Sequence, residues 1–82
     1  MILVDIYVPS VDQTYNFSLS EDIGIEAIVN EIIGMISQKE QTVLVGNQEE
    51  LNLYSINDKR ILPRDNTLLD CNIMTGGALM LV

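Results

Sequence analysis

The N-terminal part of the chain alternates apolar and polar side chains in two short runs. Every second residue of 2–8 is a branched aliphatic one, and residues 14–19 alternate aromatic rings or leucine with polar side chains. A period of two is typical of a strand that is buried on one face. Pro9 cannot donate a backbone hydrogen bond, so it ends the first run, and the polar residues after it form a turn. The pattern predicts a β-hairpin.

The period changes between Ile23 and Gln38. The apolar residues there fall within half of a helical wheel of 3.6 residues per turn, which is typical of an amphipathic helix. They are Ile25, Ile28, Val29, Ile32, Ile33, Met35 and Ile36. Ser20 or Asp22 is suited to cap the first turn, and Lys39 complements the negative end of the helix dipole. We therefore expect one helix here.

Residues 39–50 are ambiguous, because Thr42–Val45 has strand character and residues 46–50 have loop character. Residues 51–56 alternate again, and a turn at Asn57 and Asp58 joins them to residues 60–62, which Pro63 ends. This pattern predicts a second, shorter hairpin.

The C-terminal part combines a turn with one more strand. Residues 65–70 predict a single helical turn, and the pair Gly76 and Gly77 permits a tight turn before a last strand at residues 78–82. The predicted order is β-β-α-β-β-turn-β.

Length and charge limit the classes of partner. A chain of 82 residues predicts a single domain over residues 1–82. Twelve acidic and four basic residues give a net charge of −8, which repels phosphate backbones and anionic membranes, so we expect no nucleic-acid partner. No apolar run reaches the roughly 18 residues of a membrane span, and no basic leader follows Met1. With a single cysteine, Cys71, the chain fits a reducing cytoplasm.

The residue types also disfavour catalysis. The chain contains no histidine, which removes imidazole bases and histidine metal ligands, and one cysteine cannot build a thiolate zinc cluster. Its glycines lack the spacing of a phosphate-binding loop. We expect no enzyme activity, no cofactor and no metal. Cys71 is expected to be a packed, inert thiol.

The C-terminal third of the sequence contains a Thr-Leu-x-Asp-x-Asn-Ile run followed by a Leu-x-Leu-Val strand. The positions of this motif are Thr67, Leu68, Asp70, Asn72, Ile73, Leu79, Leu81 and Val82. This part of the chain resembles ubiquitin, in whose family the motif is typical. Ile25, Ile28 and Ile32 repeat the spacing of the family's core-facing helix residues. The resemblance implies an α+β, ubiquitin-like β-grasp fold with a mixed sheet of four to five strands and one helix packed across it.

A short, acidic ubiquitin-like chain is similar to the YukD-like proteins of bacterial type VII (WXG100) secretion systems. This resemblance implies a non-conjugated, cytoplasmic accessory of a membrane-bound secretion machine, or the equivalent domain fused to one of its membrane components. The chain departs from the pattern in two places. Its 39–50 segment is longer than that of ubiquitin, and the aromatic often found in the third strand is here Leu51 or Leu53.

Conjugation requires a flexible C-terminal Gly-Gly, whereas Gly76 and Gly77 lie five residues before the end of this sequence. We interpret the pair as a turn that needs positive φ. The alternatives are a modifier or sulfur carrier with further C-terminal residues, and a regulatory ubiquitin-like domain of a larger protein.

Alternation in the last strand predicts a binding patch. If Leu79 and Leu81 face the core, then Met80 and Val82 face outward beside Tyr54, where the resemblance to ubiquitin places the partner surface. Val11, at the tip of the first hairpin, extends this patch. We expect the patch to dock noncovalently on a cytoplasmic domain of a secretion component. Self-association through the same face is an alternative, as is a set of exposed apolar residues that bind nothing.

Lys59, Arg60 and Arg64 form a second candidate contact. They are three of the four cations and lie close together in the sequence around the second hairpin. Two interpretations stand side by side: a contact for an acidic partner, and a solvated turn. The excess of carboxylates favours fast encounter with a basic partner.

Overall fold

The fold is a mixed sheet with one helix packed across it. The computed structural model describes residues 1–40 and 51–82, so the ambiguous segment Thr42–Val45 lies outside the described residues. The elements, in chain order, are β1 (Ile2–Val8), β2 (Gln13–Leu19), α1 (Ile25–Glu40), β3 (Leu53–Ser55), β4 (Arg60–Ile61) and β5 (Gly77–Leu81). The predicted α+β architecture and its element order are confirmed.

The described strands form a five-stranded sheet in the order β2-β1-β5-β3-β4. β1 and β5 pair in parallel, and the other three neighbouring pairs are antiparallel. The last strand of the chain therefore lies beside the first, at the centre of the sheet. No helix in the described ranges has both the length and the apolar composition that crossing a bilayer requires.

The core lies between one face of the sheet and α1. Alternate residues of β1, β3 and β5 point into it, and the apolar stripe of α1 covers them. Among the largest fully buried side chains are Ile6, Ile25, Ile28, Ile32, Leu53, Leu68 and Leu79. Burial of one such side chain contributes about 1.5–3 kcal/mol. Cys71 is 1% exposed and belongs to this core, as predicted, whereas Met35 is 37% exposed at the margin of the stripe.

Backbone carbonyls from a distant loop cap the start of α1. The Ile25 amide donates to the Asn66 carbonyl (2.8 Å) and the Glu26 amide to the Arg64 carbonyl (3.1 Å). Gly24 is the N-cap residue, because its carbonyl accepts the first helical hydrogen bond. The predicted side-chain cap at Ser20 or Asp22 is therefore wrong: the first amides of the helix are paired through tertiary structure instead.

The loop before β5 contains the predicted turns. The amide of Asp70 donates to Thr67 Oγ1 (3.0 Å) and the amide of Thr67 to Asp70 Oδ2 (3.1 Å), which closes a single turn. Gly76 has φ +93°, as the predicted turn requires. At Gly77 a Cβ would lie 3.1 Å from the Met74 carbonyl oxygen and 3.2 Å from Ile73 Cγ2, so a side chain there would require these neighbours to move by a few tenths of an ångström.

The same substitution should have opposite effects at two glycines. Gly76→Ala places a side chain at φ +93° and should cost about 1–3 kcal/mol. Gly34→Ala, at an exposed site within α1 where a Cβ meets open space, should stabilise by roughly 0.5–1 kcal/mol. Urea unfolding of both variants measures the difference, and equal free energies of unfolding would contradict the assigned backbone geometry.

Candidate protein-binding face

The face of the sheet opposite α1 carries four large side chains in one continuous row. Tyr7 pairs with Met80, Met80 pairs with Tyr54, and Tyr54 pairs with Ile61. Directly paired residues of neighbouring strands project from the same side of a sheet. We call Tyr7, Met80, Tyr54 and Ile61 the outer-face row. It crosses β1, β5, β3 and β4, a span of about 14 Å at the usual strand spacing.

The outer-face row is exposed and mostly apolar. Ile61 is 56% exposed, and the other three side chains are half-buried. The pair beside Tyr7 on the same face is polar: Asp5 on β1 pairs with Asn16 on β2, and Asn16 Nδ2 donates to Asp5 Oδ1 (3.0 Å). Two phenols, a thioether and an aliphatic side chain thus lie beside carboxylates on a rigid surface. When a partner covers such groups, the removal of their apolar surface from water favours binding, and aromatic side chains are common interface anchors.

The structure brings together part of the predicted patch. Tyr54 and Met80 are directly paired, and Val82, 39% exposed, lies one outward position further along from Met80. Val11 does not extend the patch, because it is half-buried and packs against the hydrophobic core. The hairpin turn, in which Asp12 adopts φ 51°, carries Val11 there.

The sequence interpretation missed Tyr7 and Ile61. Alternation already placed Tyr7 on the outward face of the first strand, and a buried Leu62 implies an outward Ile61. What the pattern did not supply was the pairing of β1 with β5, which joins Tyr7 to Met80.

A solved structure supports the fold. The chain is similar to the solution structure of the N-terminal ubiquitin-like domain in the 4931431F19Rik protein, with a TM-score of 0.71 and 21% sequence identity, covering 99% of this chain and 72% of that one. The fold is the ubiquitin-like β-grasp. No protein-family model matches the sequence, and no curated protein matches it.

A hydrogen bond fixes the Tyr7 end of the outer-face row in this ubiquitin-like module. The Tyr7 hydroxyl donates to Asp12 Oδ1 at 2.7 Å. This bond, with smaller contributions from desolvation and from the negative charge of Asp12, raises the pKa of Tyr7 above its usual range. The phenol is therefore protonated and held in one orientation at neutral pH.

Two of the three clustered cations serve the fold. Arg60 Nη2 donates to the Cys71 carbonyl (3.1 Å), and Arg64 Nη2 donates to the Leu51 carbonyl. Arg64 Nη1 also lies 3.7 Å from Glu26 Oε1. Both guanidinium groups thus donate to the chain's own carbonyls, while the Arg60 side chain stays 47% exposed. The joint contact of Lys59, Arg60 and Arg64 with an acidic partner stays a prediction. Lys59 is exposed in a turn at φ 57°.

In the described part of the chain, no group of three or more Cys, Asp or Glu side chains is placed to hold a metal ion.

Asp12→Asn should lower the pKa of Tyr7, because the amide retains an acceptor but loses the negative charge that favours the protonated phenol. Asparagine tolerates the left-handed backbone at this position. Because the folded-state pKa is raised, the bond stabilises the fold below the unfolded pKa, and this contribution is lost as the pH rises through the folded value. Tyrosinate absorbance against pH, with Tyr7→Phe to assign the signal, measures the shift. An unchanged Tyr7 titration in Asp12→Asn would contradict the bond.

Arg64→Ala should destabilise the fold by about 1.5 kcal/mol or more, because it removes a charge-assisted hydrogen bond to the Leu51 carbonyl. Lys59→Ala removes an exposed cation and should change the free energy of unfolding by less than about 0.5 kcal/mol. Thermal unfolding of the two variants compares a structural with a surface cation. Equal stabilities would show that Arg64 does not hold the fold together.

Proposed function

We propose that this protein is a non-catalytic ubiquitin-like interaction module that binds a protein partner noncovalently through the outer-face row. The observation that carries the proposal is the alignment of Tyr7, Met80, Tyr54 and Ile61 across four strands. Because regular strands hold these side chains, little conformational entropy is lost when a partner covers them. A polar sheet face would gain less free energy from being covered, because its side chains would lose hydrogen bonds to water.

The partner is a cytoplasmic domain of a membrane-bound type VII secretion component. The resemblance to YukD-like proteins supports this assignment, and so does the net charge of −8, which steers the module toward a basic surface. Asp5 and Asp12 lie next to the outer-face row and provide the local part of that charge. The module is therefore proposed as a cytoplasmic accessory subunit or domain of the secretion machine.

The position of the glycine pair supports a non-conjugated role. Gly77 begins β5 and pairs with Val4, and the Gly76 amide donates to the Leu3 carbonyl (2.8 Å). An activating enzyme requires an extended, accessible Gly-Gly terminus. Gly77 is part of the central sheet, so an extended conformation of the pair would require the start of β5 to separate from β1.

Affinity purification from the organism that makes the protein tests the proposal. The tagged protein is recovered in mild detergent, and co-purified proteins are identified by mass spectrometry and separated on a denaturing gel. Recovery of a type VII membrane component that dissociates on denaturation is the expected result. A ladder of covalent adducts, or an adenylating enzyme as the main partner, would contradict it and favour carrier chemistry.

Substitution within the outer-face row should separate binding from folding. Tyr54→Ala combined with Met80→Asp removes two anchors and should weaken binding to the recovered partner about 30-fold or more. Both side chains are on the solvent face, so the free energy of unfolding should change by only about 1 kcal/mol. Asn30→Asp, on the exposed side of α1 and outside the row, is the control. Retained affinity in the double variant would rule out the row as the docking surface.

A further inference from the structure

β2 is an edge strand whose outer side is unpaired in the described structure. β1 lies on one side of it, and within residues 1–40 and 51–82 no strand pairs with the other. The β1–β2 register is continuous over seven residue pairs, from Ile2 with Leu19 to Val8 with Gln13. The strand thus has no bulge that would twist its edge away from another strand.

The hydrogen bonds of Leu3 show which backbone groups point to this edge. The Leu3 amide donates to Thr75 Oγ1 (3.3 Å), and its carbonyl accepts from the Gly76 amide, so both groups point toward β5. Its antiparallel partner Ser18 therefore directs its amide and carbonyl away from β1. The alternation repeats at Asn16 and Thr14, which gives three amides and three carbonyls along one open edge.

The sequence of β2 lacks two common protections against strand addition. Residues 13–19 include neither a charged side chain nor a proline, two of the devices that block edge pairing. The side chains of Thr14, Asn16 and Ser18 are small, polar and exposed, so among residues 1–40 and 51–82 they leave the edge sterically accessible. An extended segment can align along it without displacing any described strand of the sheet.

Charge decides between the occupants of this edge. Asp12 precedes β2 and Asp22 follows it, so a carboxylate flanks each end of an uncharged strand that is about 24 Å long. Glu21, next to Asp22, already pairs with the Met1 ammonium (3.3 Å). Lys39, which lies over the Tyr15 ring at 5.1 Å, supplies one opposing charge. Pairing with a second copy would bring two chains of net charge −8 together.

We infer that the outer edge of β2 accepts, as an added strand, an extended segment of a partner protein with an uncharged centre and lysine or arginine at both ends. Main-chain hydrogen bonds to Thr14, Asn16 and Ser18 provide the affinity, and the flanking carboxylates select the basic ends. This site is separate from the outer-face row, because it lies at the edge of the sheet rather than on its face.

The test uses the full chain and a synthetic peptide of alternating valine and threonine with paired lysines at both ends. Alternate amides of an extended peptide point to opposite edges, so two further peptides are N-methylated, one at the odd-numbered amides and the other at the even-numbered amides. An added strand donates to β2 from only one of these two sets. Calorimetry should therefore show that one methylated peptide binds about tenfold or more weakly than the parent and that the other matches it. Equal affinity of both methylated peptides, or no binding by the parent, would overturn the inference.

A protein variant provides the matching test. Ser18→Pro removes an outward amide without removing a hydrogen bond to β1 and should weaken the parent peptide about tenfold, whereas Ser18→Ala should not. Circular dichroism checks that both variants fold. If Ser18→Pro does not fold, the comparison of the two methylated peptides still tests the inference.

Met80→Asp, in the outer-face row, should leave the affinity for the peptide unchanged. The strand-addition site and the outer-face row can therefore be tested separately. Sedimentation that shows concentration-dependent dimers abolished by Ser18→Pro would contradict the inference and identify a second copy as the occupant.

Discussion

The parallel pairing of β1 with β5 is the contact on which the rest of the structure depends. It joins the first strand to the last and places β5 between β1 and β3. Without it the N-terminal hairpin and the C-terminal strands would be two separate sheets, each too small to be stable alone. The pairing begins at Gly77, opposite Val4, where the backbone of the preceding turn packs closely.

The same pairing creates the two faces of the sheet. On the inner face it brings Ile6 opposite Leu79 under α1, and on the outer face it brings Tyr7 opposite Met80. Core and binding surface are therefore set by one register. A slip of a single residue would move Met80 into the core and Leu79 to the surface, which the burial of Leu79 strongly disfavours. The free-energy cost of such a slip therefore fixes which side chains form the outer face as well as which form the core.

The chain uses its few cations largely for its own architecture. Arg60 and Arg64 bind carbonyls of the Cys71 and Leu51 residues, and the Arg64 carbonyl also caps α1. Twelve acidic residues against four basic ones leave a net charge of −8, so the surface presents an acidic field. This division explains why both proposed interfaces, the outer-face row and the edge of β2, are directed at basic partners.

Local periodicity was enough to predict the elements, because a period of two or of 3.6 follows directly from backbone geometry. The first hairpin, the helix and the Gly76 turn were predictable in this way. Contacts between distant residues were not. The caps of α1 come from carbonyls some forty residues away, at Arg64 and Asn66. The addition of Tyr7 and Ile61 to the binding face, and the loss of Val11 to the core, likewise depend on pairing and on turn geometry that no local pattern contains.

The most direct test of the docking surface is a methyl and aromatic NMR titration of the labelled protein with the cytoplasmic domain of the recovered secretion component. We expect the largest shift changes on the Met80 and Ile61 methyl groups and on the rings of Tyr7 and Tyr54. Changes confined to the exposed side of α1, with these four residues unaffected, would contradict it.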